Sequence, residues 1–470
     1  MADARRVAVV GGGITGLAAA SAAADRARAR NRPVLVTVLE KSKRLGGSLV
    51  TEHVDGFLLD GGADSWVASK PHATMLARVL GLSDSLVGTN RANRRFYVAR
   101  GQKLHAVPEG FVLGVPTRFG PLARSPLFSW IGKARMALEP LVPARRLDAD
   151  GDESIADFVT RRLGREAAER LVAPLLSGIS SGDANDISVR AAFPQLVAME
   201  QDHGSLVRAM WARRKGARAR EPNESAFVSL RGGMGELTGA LVARLKQQGV
   251  VLRTEAPVTK IARREAGWTL EIGGAERLEA DAVLLAIPAH AAAGLLEPVD
   301  AGVAGDLRSI RYGSAATVFL AYRRADVAHP LDGVGFIVPR SPNRSILAST
   351  WVSSKWDNRA PEGRVLVRAF FGGTSGDATL AQSDDALVRL AREELRVLMS
   401  LDAEPLFARV FRFDRASAQM RVGHLATMRA IHEGLARAAP GVRVAGGGYD
   451  GIGIPDCVRQ GEEAGRAFVE

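Results

Sequence analysis

The strongest pattern lies between residues 5 and 47. A valine-rich run, Val7–Val10, is followed by Gly11-Gly12-Gly13, an alanine-rich stretch to about Arg30, and a second apolar run, Val34–Leu39. This predicts a strand at Arg6–Val10, a glycine turn, a helix and a second strand, a βαβ unit with a right-handed crossover. Pro71–Leu80 reads as a short amphipathic helix with proline at its start, and Gly101–Pro121 as turn-rich. From Gly132 to Lys215 the periodicity is almost wholly helical, including Ser154–Leu163 and Glu166–Leu176, which predicts a helical subdomain. The polar stretch Arg213–Ser225 reads as a mobile loop, before Gly232-Gly233-Met234 and an amphipathic helix at Leu237–Gln247. Strands are expected at Val250–Thr254, Val258–Ala262, Trp268–Ile272, Ala282–Ile287, Thr317–Tyr322, Gly335–Val338, Ser345–Trp351, Arg364–Phe371 and Val442–Ala445. Helices are expected at Ser383–Met399 and from about Asp456 to Val469. The alternation of strands and helices indicates an α/β fold.

At 470 residues the chain is long enough for two or three domains, and 46% hydrophobic with 24% charged residues is an ordinary globular balance. The uncharged stretch Val7–Ala24 after Arg5-Arg6 imitates a signal peptide or marginal membrane span, but Gly11, Gly12, Gly13 and Gly16 divide it into strand and helix. Net charge is +12, and only nine of the 63 basic residues are lysine. No basic run is interleaved with aromatics, so arginine bias and attraction to anionic membranes or substrates are preferred to nucleic-acid binding. The single cysteine, Cys457, excludes an internal disulfide, and the scattered histidines give no metal-ligand spacing. His53, His105 and His424 could border a cavity, but their spacing does not single them out. A reducing cytoplasm, with at most peripheral membrane contact, is expected.

Gly11-x-Gly13-x-x-Gly16 has the dinucleotide-binding spacing, which allows a tight turn, close approach to a pyrophosphate and close packing of helix on strand. Glu40 follows Gly16 by 24 residues, where a carboxylate can accept ribose hydroxyls. Lys43-Arg44-Leu45-Gly46-Gly47 places a second glycine pair beside the first loop, and Gly61-Gly62-Ala63-Asp64 and Gly446–Gly453 add further close approaches. Glycine clusters so far apart suggest an extended cofactor threaded between distant segments, as FAD would be.

These residues resemble the FAD-dependent porphyrinogen oxidases of haem biosynthesis, in the soluble bacterial branch of the wider amine oxidase superfamily. The resemblance covers nearly the whole chain. It rests on GGGITGL (Gly11–Leu17), EKSKRLGG (Glu40–Gly47), PLLSGISSGD (Pro174–Asp183), AAFPQL (Ala191–Leu196), GVGFIVPR (Gly333–Arg340), APEG (Ala360–Gly363) and YDGIGIPDCVRQGEEA (Tyr449–Ala464). It implies a Rossmann-like FAD-binding domain of the glutathione-reductase and amine-oxidase type from 1–87, 224–297 and 413–470. A β-sheet substrate domain would comprise 88–112 and 298–412, a helical subdomain 113–210, and the loop 211–225.

By that resemblance Gly11, Gly12, Gly13, Ile14, Thr15, Gly16, Glu40, Lys41, Arg44, Gly47 and Ser48 hold the ADP half of FAD. Gly62, Ala63, Asp64, Ser65, Ile452, Gly453 and Ile454 lie against the rest, with Val258 on the adenine side and Phe413 near the flavin. Gly178, Val334, Ile337 and Phe370 line the tetrapyrrole cavity, and Lys70 stands at its mouth. Some relatives have Gly-Pro-Arg where this chain has Gly62-Ala63-Asp64, and Arg94 or Arg95 is the candidate to supply the missing carboxylate-binding guanidinium. Pro-Gln-Tyr is replaced by Ala418-Gln419-Met420. Some superfamily members attach flavin to a C-terminal cysteine, but Cys457 reads as a buried thiol and non-covalent FAD is expected. The implied reaction removes six electrons from a porphyrinogen, coproporphyrinogen III slightly before protoporphyrinogen IX, with oxygen as acceptor. The implied partner is the next haem-pathway enzyme, ferrochelatase. The competing readings are a flavin amine oxidase or carotenoid desaturase, and a non-enzymatic binding protein of the GDP-dissociation-inhibitor type.

Overall fold

The computed structural model describes residues 4–145, 151–180, 182–216, 225–339, 341, 344–372 and 377–470. Residues 217–224 of the expected loop, together with Ser181 and Arg340 of the family-like motifs, lie outside that set. The predicted βαβ unit is present as β1 (Arg5–Val10), α1 (Ile14–Arg30) and β2 (Val34–Leu39). A five-stranded parallel sheet runs in the order Val251–Arg253, β2, β1, Ala282–Leu285, Val442–Val444. Distant parts of the chain thus supply one sheet with β1 at its centre, and its strands are apolar on both faces, as in parallel sheets covered on each side.

Helix α1 packs on one side of this sheet against the last helix, Ile454–Ala467. The two backbones approach closely because the contact is built of small residues. A Cβ on Gly461 would lie 2.3 Å from the Thr15 carbonyl oxygen, and one on Gly465 2.1 Å from that of Ala19. The other side carries the antiparallel strands Val258–Arg263, Trp268–Ile272 and Glu276–Ala280 and the helices Ala289–Leu296, Ala301–Ser309 and His424–Ala438. The strand Glu276–Ala280 and these three helices are not evident from the sequence pattern.

The second sheet has seven strands, in the order Phe407–Gln419, Arg311–Arg323, Arg364–Gly372, Ala348–Trp351, Gly333–Ile337, Arg95–Arg100, Lys103–Ala106. Strand alternation divides Arg364–Gly372 into two faces. Val365, Val367, Ala369 and Phe371 pack beneath the helix Asp384–Met399, whereas Leu366 faces Phe57, Leu59 and Trp356 of the first domain's side. The strand Phe407–Gln419 runs unbroken across the expected boundary at 412/413. Arginines interrupt its apolar alternation, and as an edge strand it is only half covered, so periodicity does not reveal it.

The helical unit encloses its own core around Phe158, Leu171 and Leu196. At its centre Arg162, Glu139 and Glu200 are all fully buried. Arg162 Nε donates to Glu139 Oε1 at 2.8 Å, and Glu139 accepts the Leu206 and Val207 amides at the start of the helix Leu206–Gly216. Among the described residues no helix is long and apolar enough to cross a membrane.

The contact between α1 and the last helix gives a paired test. Gly461→Ala should destabilise by about 1–3 kcal/mol, because the methyl would meet a backbone carbonyl. Gly239→Ala, in the helix Met234–Gln247 with open space at the Cβ position, should stabilise by about 0.5–1 kcal/mol. Urea unfolding of both variants checks this; a stabilised Gly461→Ala or a destabilised Gly239→Ala would refute the packing argument.

Candidate functional site

The site begins where β1 ends. Gly11 has φ +107°, and a Cβ there would stand 2.3 Å from the Ala286 carbonyl oxygen, while one on Gly16 would stand 2.0 Å from that of Gly11. These two glycines seat α1 directly on the sheet. At Gly13 the surroundings are open: the nearest atom to the position a Cβ would take is Gly47 Cα, 4.0 Å away. Among the described residues no side chain caps the first turn of α1 and no acidic residue lies in it, so its amides and positive dipole end face no protein anion there. Ile14 and Thr15 open this helix and are buried.

The second glycine pair lies against the first loop, as expected. Gly46 N–H donates to the Gly12 carbonyl at 2.8 Å, and Gly47 Cα faces Gly13. Glu40 is nearly buried, and its carboxylate is already engaged: Gly12 N–H donates to Oε2 at 2.7 Å and Ser42 N–H to Oε1 at 2.9 Å. Spacing alone assigns Glu40 a ribose role; the structure adds that it fastens the glycine loop, with one lone pair on each oxygen left over. Arg44 is exposed and wraps its own loop, donating to the carbonyls of Leu45, Gly47 and Leu49. Lys41 and Ser48 are exposed beside it, and Val258 is half-buried on the strand that follows the Glu40-bonded Ala256.

The turn Gly61–Ser65 is the next wall. A Cβ on Gly62 would lie 2.0 Å from the Ser48 carbonyl and 3.7 Å from Phe413, so this turn is contiguous with the glycine cradle. Its carbonyls are held by the seven-stranded sheet. Thr317 Oγ1 donates to Gly61 O at 3.0 Å, and Arg368 Nη2 donates to Gly61 O at 2.6 Å and Gly62 O at 2.7 Å. Ala63 is exposed. Asp64 accepts from Lys355 Nζ at 2.9 Å, Trp356 Nε1 at 3.0 Å and Ser65 Oγ at 2.7 Å. Burial works against its charge, but Lys355, Arg368 and Trp356 outweigh it and hold the carboxyl well below the usual range. Asp64 is therefore the counterion of Lys355, which the sequence gives no means of pairing with it.

The C-terminal glycine turn closes the cradle. Gln460 Oε1 accepts from Gly446 N–H at 3.0 Å, and buried His424 Nε2 meets the Tyr449 carbonyl at 2.8 Å. Ile452 and Gly453 lead into Ile454, the first residue of the last helix. Lys70 pairs with Asp456 in the first turn of that helix, at 2.7 and 2.8 Å, so the two segments expected at the mouth and the wall are joined. Burial pushes the Cys457 thiol up to about 11.

Of the expected substrate wall, Phe370 is half-buried with its ring 4.4 Å from the Arg368 guanidinium, and Ile337 packs into the helical unit's core. Val334 is half-buried on the same strand as Ile337, and Gly178 lies in the helix Ala173–Ser180. Arg95 pairs with Asp332, which also accepts from Tyr97, and Tyr97 packs under the outer helix, whereas Val98 and Ile337 face the helical unit. Alternation therefore turns Arg95 to the face opposite Ile337. Arg94, one residue earlier, is exposed. Beside Phe413 a cleft of about 620 Å³ opens along Tyr312, Ser314, Ala315 and Gln419. Sequence reasoning misses Arg368, Thr317, Lys355 and Gln460. Only Arg368 leaves a signal, a cation inside the apolar run Val365-Leu366-Val367-Arg368-Ala369-Phe370-Phe371.

The open, uncapped cradle, the contiguous glycine turns and the buried carboxylate fit an extended dinucleotide such as FAD. Comparison with known proteins agrees. Residues 14–467 match the family model described as flavin containing amine oxidoreductase. The chain is 35% identical to coproporphyrinogen III oxidase of Bacillus subtilis over 99% of this chain and 98% of that one. It is 29% identical to chloroplastic protoporphyrinogen oxidase 1 of Arabidopsis thaliana, over 96% and 85%. A crystal structure from Exiguobacterium sp. 255-15, provisionally named protoporphyrinogen oxidase, superposes with a TM-score of 0.87 at 32% identity, covering 99% of both chains. The chain belongs to the flavin-containing amine oxidoreductase family, as an oxidoreductase whose cofactor is FAD.

Proposed function

We propose that this enzyme oxidises a porphyrinogen to the porphyrin, with coproporphyrinogen III slightly preferred to protoporphyrinogen IX and oxygen as the final acceptor. The observation that carries the reading is the end-to-end similarity to the coproporphyrinogen III oxidase of Bacillus subtilis. Bound FAD supplies the two-electron acceptor, and three rounds remove the six electrons, reducing three oxygen molecules to three peroxides. The chain's part is to bind, orient and exclude water. Gly11–Gly16 and Glu40 hold the ADP half. The turn Gly62–Ser65 and the segment Ile452–Ile454 flank the rest. Phe370, Ile337 and Val334 supply apolar surface for the macrocycle, with Gly178 on the helical side. Aromatisation drives the reaction, and the three protons released with the three hydrides, two from pyrrole N–H groups and one from a bridge carbon acidified by tautomerisation, pass out to bulk solvent, so no strong base is needed. This suits a site in which Asp64 is ionised and fully engaged and His424 is bonded to a backbone carbonyl.

The exposed side chains Trp130, Ile131, Leu138 and Leu141 lie on one short segment of the helical unit, with Lys133 Nζ 4.2 Å from the Trp130 ring. This supports a peripheral contact of a cytoplasmic enzyme with anionic lipid, and the porphyrin product passes on to ferrochelatase.

On one preparation, kcat/KM for coproporphyrinogen III should exceed that for protoporphyrinogen IX, with three peroxides formed per porphyrin; the reverse order would reassign the substrate. Acid precipitation should release all the flavin into the supernatant. Glu40→Ala should raise the FAD dissociation constant by a factor corresponding to about 1.5–3 kcal/mol, because a charged acceptor is lost. An unchanged constant would remove Glu40 from the cofactor site. Sedimentation with phosphatidylglycerol vesicles should pull down the wild type and leave a Trp130→Ser/Ile131→Ser variant in solution; equal behaviour of the two would exclude this contact.

A further inference from the structure

Arg368 is a buried cation with no carboxylate bonded to it among the described residues. The residue is 4% exposed, and its guanidinium lies over the rings of Phe370 at 4.4 Å and Phe319 at 5.1 Å. Its two hydrogen bonds go to neutral acceptors, the carbonyls of Gly61 and Gly62, and its Nε is buried without a partner among the described residues. The nearest acids are committed elsewhere. Asp64 is bonded to Lys355 and Trp356, and Asp60 to Thr51, the Met234 amide and Arg359. Burial pulls the guanidinium down to about 10, with Asp64 and Asp60 offsetting part of this, so it remains charged at neutral pH.

Holding two carbonyls requires only N–H donors, and a neutral amide would serve. A full charge kept in such a place without a direct counterion is costly to fold. It is explained if a ligand brings negative charge to the same place. The contacts lead there step by step: Gly13 faces Gly47, Ser48 faces Gly62, Gly62 is bonded to Arg368, and Arg368 stacks on Phe370. This line runs from the phosphate end of the cradle to the proposed substrate wall, where the ring system of FAD belongs. Oxidised FAD takes up two electrons and one proton to become an anion, so the ring system gains one negative charge.

We infer that Arg368 is a positioning residue whose charge, carried to the cofactor through the Gly61–Gly62 turn, favours the reduced anionic form of FAD over the oxidised form. The inference rests on the FAD assignment and not on the substrate, so it is tested without porphyrinogen. The two-electron potential of the holoenzyme would be measured by reductive titration against a reference dye, for wild type, Arg368→Lys, Arg368→Gln and Arg368→Met. Flavin content and Tm would be recorded alongside.

Arg368→Met and Arg368→Gln should each bind reduced FAD at least tenfold less tightly relative to oxidised FAD, which lowers the potential by about 30 mV or more. Arg368→Lys, which keeps the charge and loses the fork, should stay within half of that shift. If Arg368→Met does not fold, the Gln and Lys variants decide the matter. A Gln variant with the wild-type potential, or a Lys variant displaced as far as Gln, would overturn the inference. So would an unchanged potential with weakened porphyrin binding, which would place the charge on a substrate carboxylate instead.

Discussion

A helix can offer its first-turn amides to an anion only if nothing stands in front of them and the helix itself is held still. Both conditions are met at α1 by close backbone contact. Gly11 and Gly16 bring the helix onto β1, and Gly461 and Gly465 bring the last helix onto α1, each at distances that leave no room for a Cβ. The same seating fixes Gly13 at an open position, with Gly46-Gly47 behind it and Glu40 bonded to Gly12. The candidate cofactor cradle is thus defined mainly by backbone, which rotamer changes cannot disturb.

From that cradle the fold builds outward through a few buried polar links. The turn Gly61–Ser65 belongs to the cofactor side by position, yet its carbonyls and carboxylate are held by Thr317, Arg368, Lys355 and Trp356 from the opposite sheet and its flank. Phe370 stacks on the same guanidinium that bonds the turn, so the proposed substrate wall and the proposed cofactor wall share a support. Displacement of either surface would be felt by the other, which suits the proposed meeting of a macrocycle with a flavin at contact distance.

What is legible in the sequence is local. Gly11, Gly13, Gly16, Gly46-Gly47 and the βαβ pattern depend on spacing within a few dozen residues, and each is found where spacing puts it. The antiparallel strands are partly legible: Trp268–Ile272 of the three-stranded sheet matches, while Phe407–Gln419 at the edge of the seven-stranded sheet is hidden by its arginines. Pairings across hundreds of residues leave no trace, as with Asp64 and Lys355 or Lys70 and Asp456. Arg95 shows why a one-residue uncertainty matters in a strand. The side chain changes face with each step, and the observed register commits Arg95 to Asp332 on the outer side.

The claim on which everything else stands is that the open space at Gly13 is kept for FAD. Gly13 has φ −75° and ψ 178°, which any residue can adopt, and a Cβ there meets nothing nearer than 4.0 Å in the protein. Gly13→Ala is thus silent for the fold and intrusive only for a cofactor lying against the loop. Calorimetric titration of the apo form with FAD, together with its Tm, separates the two. The account expects an apo Tm equal to wild type and FAD affinity reduced at least tenfold; a variant that binds FAD as tightly as wild type would contradict it.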